Sequence, residues 1–435
     1  MSHYKPYPAY KDSGVEWIGR VPEHWIVCKL NFRYSVELGK MLDQKRITGA
    51  HLVPYLRNQD VQWGTISTQD LPLMDIAPDE LERYTVSDGD LLVCEGGDVG
   101  RSAIWCGKRI GYQKALHRLR PRGLDSSRFM LNLMYAAKTS GVFSESDSKA
   151  TISHLPAEAF RTLRFPFPPP EEQALITAVL DRETARIDAL TARKTRFIEL
   201  LKEKRQALIT HAVTKGLDPN VKMKDSGVAW IGEVPEHWEI RRLGTLYREA
   251  IRVGDPALPI LSISIHDGIT DEELSPEERD RQVYQIEDRT KYKRVRPNDL
   301  AYNMMRAWQG AFGAVVVEGL VSPAYVVAEP LVALRSSYIE NLLRTPMAIE
   351  EMRRFSRGIA DFRMRLYWEF FRDLKVALPP LDEQDSLLDQ ITQQTGKVDQ
   401  LALATERSIT LLKERRAALI TAAVTGQIDL RGEAT

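Results

Sequence analysis

The sequence predicts an α+β fold in which two β-rich domains are separated by two long helices that pair as a coiled coil, with an internal repeat. Three observations predict this fold. The segment KDSGVEWIGRVPEHW near the start recurs later as KDSGVAWIGEVPEHW. A long charged stretch with helical periodicity closes each half of the chain. Between these shared segments the chain is rich in short β-type runs broken by Gly, Asp, Asn and Pro.

The 435 residues suffice for two or three domains, and their composition is that of a globular protein. The 60 basic and 60 acidic side chains cancel, which argues against indiscriminate coating of nucleic acid but allows specific binding. No apolar run is long enough to span a membrane, and the polar N-terminus lacks a signal-peptide core. Three scattered cysteines are too few for a disulfide framework or a thiolate metal site. We therefore expect a cytoplasmic protein without membrane association.

The internal repeat extends beyond the opening motif. PPPEEQ is matched by PPLDEQ, and LLKEKRQALITHAVTKGLD is matched by LLKERRAALITAAVTGQID, in the same order in both halves. A repeating unit of about 210 residues indicates a duplicated domain rather than a solenoid. The paired segments are residues 11–25 and 224–238, 168–173 and 379–384, and 200–218 and 411–429.

The closing stretches are predicted to be helices. The first has neither Gly nor Pro between Pro170 and Gly216, acidic residues follow its prolines, and Lys215 suits a helix end. Alternating steps of four and three residues give a seam that is typical of a coiled coil with polar interruptions. The seam residues are Ile176, Leu180, Glu183, Ile187, Leu190, Lys194, Phe197, Leu201, Lys204 and Leu208, and then Leu387, Ile391, Gln394, Val398, Leu401, Thr405, Ser408, Leu412, Arg415 and Leu419.

Neither seam would hold an isolated helix together in water, so we expect each helix to pair with the other as a rod of roughly 65 Å. The alternative is a separate surface helix on each domain. Several seam positions are polar, such as Glu183, Lys194 and Arg415. The sequence does not decide whether these side chains face the other helix or a partner protein.

The middle segments, residues 30–165 and 243–378, are predicted to form the β-rich domains. Residues 86–105 and 295–317 occupy equivalent positions, and each indicates a strand, a turn and a second strand. Outside these shared frames the two middles diverge strongly. This pattern indicates two domains of one kind with different binding surfaces.

None of the catalytic motifs that the sequence approaches is complete, which favours a non-enzymatic chain. There is no G-x-x-x-x-G-K-[ST] phosphate loop, and GGDVG at 96–100 lacks the strand–loop–helix setting of a dinucleotide site. SPAY at 322–325 is similar to the [ND]-P-P-[YF] loop of adenine methyltransferases, but it lacks the second proline and a preceding cofactor loop. His24 and His237 are expected to pack beside the tryptophans of PEHW rather than bind zinc or transfer protons.

Basic, amide and aromatic side chains in the two middles favour nucleic-acid binding. Arg pairs with guanine, Asn or Gln pairs with adenine, and Lys pairs with phosphate. The alternative for any single residue is a solvated surface charge. The candidate DNA-binding residues are Arg101, Lys108, Lys149, Thr151, Asn303, Arg306, Gln309, Arg357, Arg363 and Arg365, with Arg109, Trp308, Arg353 and Arg354 beside them.

In this combination and order, the motifs resemble the specificity subunits of type I restriction–modification enzymes over nearly the whole chain. The resemblance rests on the duplicated KDSGV-x-WIG-x-VPEHW, on VSDGDLLVCEGGDVGRSA and VRPNDLAYNMMRAWQGAFG, and on FPPPEEQ and LPPLDEQ ahead of the paired helix endings. It implies two target-recognition domains, each of which binds one half of a bipartite double-stranded DNA site. It also implies that the central helices run antiparallel, which gives the internal repeat a pseudo-two-fold symmetry, and that they set the spacer between the half-sites.

The resemblance further implies that partner subunits carry the chemistry. Two methyltransferase subunits would dock on the helices and hold S-adenosylmethionine, and restriction/translocase subunits would use ATP and Mg²⁺. The chain itself is expected to have no catalytic residue, cofactor or metal. The helix residues expected at the subunit-binding surface are Ile187, Leu190, Phe197, Leu201, Val398, Leu401 and Leu412.

The implied domains are two target-recognition domains, two central helices and a short tail. The repeated motif would attach each domain to the helices, with its tryptophans as core or interface anchors. Two other interpretations stay open, namely a single-chain DNA-modifying enzyme with its own recognition domains and a coiled-coil scaffold that binds no DNA. The boundaries are 1–168 and 217–378 for the domains, 169–216 and 379–426 for the helices and 427–435 for the tail, and the tryptophans are Trp17, Trp25, Trp230 and Trp238.

Overall fold

The computed structural model describes residues 4–42, 49–143, 154–264, 268–270, 288–356 and 364–433. The chain divides into two compact units. Unit 1 contains Met1–Thr195 and Arg407–Thr435, and unit 2 contains Arg196–Glu406. Each unit therefore combines a β-rich part with one segment from each of two long helices.

Unit 1 builds its β-rich part from short strands and short helices. The strands are β1 (Tyr10–Asp12), β2 (Arg20–Pro22), β3 (Ile26–Lys29), β4 (Tyr34–Leu38), β5 (Leu52–Leu56), β6 (Val61–Gln62), β7 (Thr65–Ile66), β8 (Leu73–Asp75), β9 (Thr85–Val86), β10 (Leu91–Cys94), β11 (Ser102–Ile104), β12 (Ile110–Tyr112), β13 (Leu116–Pro121) and β14 (Arg164–Phe167). The helices are α1 (Leu30–Arg33), α2 (Leu81–Tyr84), α3 (Ser127–Thr139), α4 (Ala157–Thr162) and the first part of α5 (Pro170–Lys215).

Two four-stranded sheets organise unit 1. The main sheet has the antiparallel order β11-β10-β13-β4, and the second sheet has the order β8-β5-β12-β9, in which β5 and β12 are parallel. Helix α3 starts where the Ser126 hydroxyl accepts the backbone N–H of Phe129, as an N-cap residue does. Buried side chains of α3, such as Phe129 and Met134, share one hydrophobic core with Leu91 of the main sheet and Ile176 of α5.

Unit 2 repeats this plan. Its strands are β15 (Met223–Asp225), β16 (Glu233–Pro235), β17 (Glu239–Arg242), β18 (Tyr247–Glu249), β19 (Ser262–Ser264), β20 (Gly268–Thr270), β21 (Lys293–Val295), β22 (Leu300–Asn303), β23 (Phe312–Ala314), β24 (Gly319–Val321), β25 (Tyr325–Pro330) and β26 (Lys375–Leu378). Its helices are α6 (Leu243–Leu246), α7 (Ser336–Leu343), α8 (Pro346–Phe355), α9 (Trp368–Phe371) and the first part of α10 (Leu381–Val424), which ends in unit 1.

The repeat seen in the sequence is also a repeat of topology. The main sheet of unit 2 has the order β23-β22-β25-β18, which matches β11-β10-β13-β4 strand for strand. The pairs β17–β26 and β15–β16 likewise match β3–β14 and β1–β2. The predicted strand–turn–strand segments are confirmed as β10–β11 and β22–β23, and the two predicted long helices are confirmed as α5 and α10.

The repeated PEHW motif joins the β-rich part of unit 1 to the start of α5. Trp25 is fully buried, and its Nε1 donates to Glu172 Oε1 over 3.1 Å. His24 Nε2 lies 2.8 Å from the other carboxylate oxygen of Glu172. The sequence predicts that His24 packs beside Trp25, and in the structure the exposed histidine shares the Glu172 carboxylate with that tryptophan.

Unit 2 contains the same contacts on α10. Trp238 is fully buried and donates from Nε1 to Glu383 Oε1 over 3.1 Å, and His237 Nε2 lies 2.7 Å from Glu383 Oε2. Glu172 and Glu383 are the equivalent glutamates of PPPEEQ and PPLDEQ. The two motifs that the chain repeats thus bind each other in each unit.

The glutamine of each EQ pair makes a second connection to the sheet part. Gln173 Oε1 accepts the backbone N–H of Ser126 at the start of α3 over 2.9 Å, and Gln384 Oε1 accepts that of Arg335 at the start of α7 over 2.8 Å. Their Nε2 atoms donate to carbonyls of the preceding prolines, Pro168 and Pro379, over 2.9 Å each. Both amides are buried, so each is a fixed link between a long helix and its sheet domain.

Within unit 1 the segments of α5 and α10 are antiparallel. Glu172 at the start of α5 and Gly426 just beyond the end of α10 both lie against Trp25. Further along α5, Asp188 pairs with Arg416, an earlier residue of α10, over 2.9 Å. Gly426 has φ +75° and a Cβ there would lie 2.3 Å from Pro22 Cδ, so this helix end requires glycine.

Within unit 2 the other segments of the same helices are also antiparallel. Gly216, which follows the end of α5, lies beside Glu383 and Trp238 near the start of α10. Arg205, an earlier residue of α5, pairs with Asp399, a later residue of α10, over 3.0 Å. Each unit therefore contains its own short antiparallel helix pair.

The predicted seam is wrong in the middle of the helices. Ile187 and Leu201 are buried as expected, but Leu190, Phe197 and Leu401 are exposed by 42%, 41% and 46%. Ile198 is buried in place of Phe197. Ile187 and Ile198 are eleven residues apart, which corresponds to about 3.67 residues per turn instead of the 3.5 of a coiled-coil heptad. Because of this longer period, Leu190 and Phe197 point outward.

The other two helix residues expected at a subunit-binding surface, Val398 and Leu412, are half-buried. In α10 the buried positions between the two ends are the threonines Thr395 and Thr405. The helix pair is therefore thinly packed along its middle. Among the helices that the structure describes, none is long and apolar enough to cross a membrane.

Candidate nucleic-acid interface

The ends of several strands meet at one edge of unit 1, which we call the loop edge of unit 1. It consists of the β10–β11 loop (95–101), Asn58 after β5 and Gln113 and Lys114 after β12. The backbone N–H of Gln113 donates to Leu56 O over 3.0 Å, and that of Lys114 donates to Lys40 O over 3.0 Å. These bonds hold β4, β5 and β12 together where their loops begin.

Arg101 braces this loop. Its Nη2 donates to the backbone oxygen of Asn58 over 3.1 Å and to the side-chain Oδ1 over 3.2 Å. Asn58 Nδ2 in turn donates to Gly96 O over 2.8 Å. Burial raises the pKa of the neighbouring Cys94 thiol to about 11, so this group is neutral at physiological pH. Arg101 thus fixes the conformation of the loop edge, and its Nη2 donates within the chain rather than to a ligand.

Lys108 and Arg109 lie in the turn between β11 and β12, at the opposite end of β10. Trp105 N donates to Asp90 O, just before β10, over 2.8 Å, and Trp105 Nε1 donates to Lys108 O over 2.9 Å. Arg109 pairs with Glu82 over 3.5 Å. The length of β10, roughly 10 Å, separates these two basic residues from Arg101. Among the described residues, the structure therefore does not bring Arg101 together with Lys108 and Arg109.

The equivalent loop of unit 2 joins β22 to β23 and carries the candidate residues Arg306 and Gln309, and a third candidate, Asn303, is the last residue of β22. Asn303 Oδ1 accepts the N–H of Met305 over 3.0 Å, and Trp308 Nε1 donates to Met305 O over 3.0 Å. These bonds fix the loop, which leaves the Gln309 side chain exposed.

Two basic residues outside this loop lie beside it. The Arg353 guanidinium stacks 5.7 Å from the Trp308 ring centroid. Leu366 N donates to Met304 O over 2.9 Å, which brings the exposed Arg365 next to the same loop. The structure therefore gathers most of the described second-half candidates at one edge, which we call the loop edge of unit 2.

Four candidates, Lys149, Thr151, Arg357 and Arg363, lie outside the described residues. The residues that follow their segments are described in both units. Leu155 N donates to Glu95 O over 2.7 Å in unit 1, as Leu366 N does to Met304 O in unit 2.

Three polar residues at or beside the unit 1 loop edge, Gln113, Lys114 and Lys40, are not among the candidates that the sequence indicates. Lys114 is exposed, whereas Lys40 pairs with Glu80, whose pKa is lowered by that hydrogen bond. In the sequence, these residues appear as the dipeptides Gly39–Lys40 and Gln113–Lys114, each of which follows a strand-like run. Only the pairing of the strands shows that both dipeptides lie at the same edge.

Charged and polar groups at the unit 2 edge are also fixed by the fold. Lys293 Nζ donates to Tyr325 O over 2.7 Å, and Tyr325 pairs with Asn303 across β25 and β22. Burial lowers the pKa of Lys293 and raises the pKa of Tyr325. Among the residues described, no group of three or more His, Cys, Asp or Glu side chains could hold a metal ion. The polar groups described at both edges can take part in hydrogen bonding and electrostatic attraction.

Comparison with known proteins identifies relatives of one kind. The chain is 28% identical over 232 residues to the type I restriction enzyme MjaVIII specificity subunit of Methanocaldococcus jannaschii, an alignment that covers 52% of this chain and 49% of that protein. It is 22% identical over 413 residues to the type I restriction enzyme EcoBI specificity subunit of Escherichia coli, which covers 88% of this chain and 81% of that protein. No family model matches the chain.

Two solved structures share the fold. A chain from a study of complex assembly and conformational transition of the type I R-M system superposes with a TM-score of 0.67 at 14% identity, covering 94% of this chain and 99% of that one. The HsdS subunit from Thermoanaerobacter tengcongensis superposes with a TM-score of 0.55 at 16% identity, covering 94% and 98%. The resemblance to specificity subunits that the sequence predicts is thus confirmed by the curated relatives, of which the chain spans between about half and four fifths.

Proposed function

We propose that the chain is the DNA-specificity subunit of a type I restriction–modification system. The observation that carries the proposal is the duplicated sheet domain, in which two equivalent loops hold different side chains on the same backbone frame. The near full-length alignment with a specificity subunit supports the same function. Each unit would bind one half of a bipartite double-stranded DNA target, and the two target-recognition domains would span residues 1–168 and 217–378.

The loop edges are the proposed DNA-binding surfaces. In unit 2, Arg306, Gln309 and Arg365 would contact base edges or phosphates, and Arg353 on Trp308 would add positive charge. In unit 1, Lys114 and Gln113 are better candidates than Lys108 because they lie on the loop edge. Arg101 would act by holding Asn58 and the loop, and the predicted contacts of Lys149, Thr151, Arg357 and Arg363 remain part of the proposal.

The long helices are proposed to set the spacer and to dock two methyltransferase subunits. Exposed leucines recur at equivalent positions, with Leu190 on α5 matching Leu401 on α10, and Leu200 matching Leu411. Such exposed apolar side chains on a thinly packed helix pair favour contact with helices of another protein. Because the positions are duplicated, two copies of one partner would fit.

The catalytic steps would then belong to the partners. The methyltransferase subunits would bind S-adenosylmethionine, and the restriction/translocase subunits would bind ATP and Mg²⁺. The chain would supply sequence recognition alone in a cytoplasmic complex. The competing function, a single-chain DNA-modifying enzyme, requires a cofactor loop, and GGDVG at 96–100 lacks the strand–loop–helix setting of one.

The test is reconstitution with the methyltransferase subunit of the same system. Genomic DNA methylated by the complex should carry a bipartite motif with an unread spacer, whereas the isolated chain should transfer no methyl group. Methyl transfer by the isolated chain would replace this proposal with the single-chain enzyme. A complex that methylates without any preferred motif would refute the recognition role.

A further inference from the structure

One acidic residue of the unit 1 loop edge, Glu95, directly follows the last residue of β10. Its backbone is held on both sides. Glu95 N donates to Ala115 O over 3.0 Å, and Glu95 O accepts the N–H of Leu155 over 2.7 Å. The position of Glu95 is therefore fixed between the loop that follows β12 and the segment that precedes α4.

The Glu95 side chain is half-buried, yet within the described part of the chain its carboxylate forms neither a hydrogen bond nor an ion pair. Two other carboxylates of this region are paired. Asp98 in the same loop pairs with Lys138 over 2.9 Å, and Asp60 after β5 pairs with Arg57 over 2.8 Å. A carboxylate that loses part of its water without gaining a donor is destabilised, so a ligand that supplies the donor would stabilise this site.

Three further polar residues lie next to Glu95 through backbone contacts. Gln113 and Lys114 directly precede Ala115, to which Glu95 is bonded, and His154 forms a β-bridge with the residue after Glu95. Within the described ranges, the side chains of these three residues also lack a hydrogen-bond or ion-pair partner in the chain. The edge therefore combines one free carboxylate with several groups that can donate hydrogen bonds to a ligand.

Unit 2 has no carboxylate at the equivalent position. Leu366 N donates to Met304 O over 2.9 Å, as Leu155 N does to Glu95 O, so Met304 replaces Glu95 in the second repeat. The backbone frame recurs in both units, whereas the acidic group at this position belongs to unit 1 alone. Glu95 therefore distinguishes one proposed DNA-binding surface from the other and is not part of their shared scaffold.

A carboxylate at a DNA-binding surface is restricted in what it can contact. Phosphate oxygens are negatively charged and repel it, so its favourable partners are donor groups on base edges. In the major groove, cytosine and adenine present an amino group, whereas guanine and thymine present a carbonyl oxygen. Adenine also places its N7 acceptor beside the amino group, and this acceptor repels a carboxylate. The N4 amino group of cytosine is therefore the base donor that fits Glu95 best.

We propose that Glu95 is a specificity-determining residue of unit 1, whose carboxylate accepts a hydrogen bond from the N4 amino group of one cytosine in the major groove. The guanine paired with that cytosine presents the O6 and N7 acceptors, which suit the exposed ammonium of the nearby Lys114. This inference rests on the proposed function and adds a base and a contact to it. The half-site bound by unit 1 therefore contains a C·G pair at the position that Glu95 contacts.

The test uses the full chain in complex with the methyltransferase subunit of the same system. The complex methylates a plasmid library in which each position of both half-sites is varied, and sequencing of the methylated molecules gives the preference at each position. Glu95→Gln keeps the shape of the side chain, removes its charge and adds a donor. This variant should accept thymine or guanine at one position of one half-site, where the unaltered complex prefers cytosine ~tenfold or more.

A second measurement removes the amino group from the DNA. Replacing that cytosine by 2-pyrimidinone, which lacks the N4 amino group, should weaken binding of the duplex to the unaltered complex ~tenfold or more. The same replacement should leave binding to a complex that carries Glu95→Ala nearly unchanged, because the contact is already absent from that variant. An equal loss in both complexes would overturn the contact between the carboxylate and the amino group.

The matched control is Asp98→Asn, which removes one negative charge from the same loop at a carboxylate that already pairs with Lys138. It should strengthen binding to all sequences alike and leave the preference at every position unchanged. The inference would be overturned, with the proposed function intact, if Glu95→Gln left the motif unchanged, relaxed a position that holds an A·T pair, or weakened binding to all sequences equally. An unaltered complex that methylates without any preferred motif would refute the proposed function itself.

Discussion

Trp25 Nε1 donates a hydrogen bond to Glu172 Oε1 over 3.1 Å, and Trp238 Nε1 donates to Glu383 Oε1 over the same distance. The donors belong to the repeated PEHW motif, and the acceptors belong to the repeated EQ pair at the start of each long helix. The chain thus repeats both sides of one contact. The duplication of these two motifs is explained by the need to attach two different sheet domains to long helices in the same way.

Glu172→Ala should destabilise unit 1 by ~2–4 kcal/mol, because three donors lose one buried acceptor. Besides Trp25, these are Tyr7 OH at 2.7 Å and His24 Nε2 at 2.8 Å. Amide hydrogen exchange within α3 measures the opening free energy of unit 1. Glu171→Ala, at the exposed neighbouring position, should cost about 0.5 kcal/mol or less. Equal losses in the two variants would contradict the role of the buried carboxylate.

The stability of unit 1 should fall as the pH drops from about 6.5 to 4, because His117 is buried as a neutral ring. Burial lowers the pKa of His117 to about 4, although its Nε2 lies 2.8 Å from Leu155 O. An unfolded histidine has a pKa near ~6.5, so between these values the unfolded state binds more protons and acid favours unfolding. The free energy of unfolding of unit 1 should fall by about 3 kcal/mol between these two pH values.

The control for this pH dependence is His117→Val, since Val326 occupies the equivalent position of β25. The variant should show a flatter dependence of the unfolding free energy on pH, measured by urea titration of unit 1 signals between pH 7 and 4. An identical slope in both proteins would mean that other groups cause the acid sensitivity.

Gln309→Ala should relax sequence preference at one position of one half-site, at a cost of ~1–3 kcal/mol, if its amide contacts a base edge. Arg306→Ala should also relax the preference at one position, with a similar loss of binding free energy, if its guanidinium contacts guanine. Lys108→Ala should change binding by about 0.5 kcal/mol or less, because the turn that carries it lies at the far end of β10. Competition binding with target variants measures all three. A larger effect at Lys108 than at Gln309 would show that the wrong edge had been assigned to DNA.

The repeated motifs and helical periodicity were enough to predict the two β-rich parts and both long helices. Patterns of this kind report local structure, and in this chain the local signals agree with the fold. The helix register was not predictable in the same way. Leu190 and Phe197 match a coiled-coil seam by spacing, yet they are exposed while Ile198 is buried. Spacing identifies an apolar stripe but does not show whether a second helix of the chain or another protein covers it.

The candidate site was predicted only in part for a related reason. Arg101 lies in the β10–β11 loop and Asn303 ends β22, but both side chains are engaged within the chain, because Arg101 donates to Asn58 and Asn303 accepts the N–H of Met305. Residue type indicates what a side chain can bind, and long-range strand pairing decides what lies beside it. The grouping of Arg365 with the β22–β23 loop depends on the Leu366–Met304 bond, which no local pattern reveals.

Lengthening both long helices should lengthen the unread spacer of the DNA target. Four residues inserted after Thr195 in α5 and four after Glu406 in α10 fall at the boundaries between the units. The contacts within each unit, including Asp188–Arg416 and Arg205–Asp399, are therefore retained. Four residues add one turn and roughly 6 Å of rise to each helix. Because DNA rises about 3.4 Å per base pair, the spacer should grow by about one to two base pairs.

The measurement is the methylated motif of the insertion variant in complex with its methyltransferase subunit, mapped on genomic DNA. Both half-sites should keep their sequence, because the insertions lie outside the loop edges that would contact bases.

The same insertion in α10 alone is the control. It leaves α5 and α10 unequal in length, so it should reduce methylation rather than change the spacer. An active double-insertion variant with an unchanged spacer would mean that the helices do not set the distance between half-sites. A changed half-site sequence would instead mean that the inserted turns disturb the sheet domains. In that case the Asp188–Arg416 contact should be lost, and amide hydrogen exchange in the adjoining segment of α5 should increase.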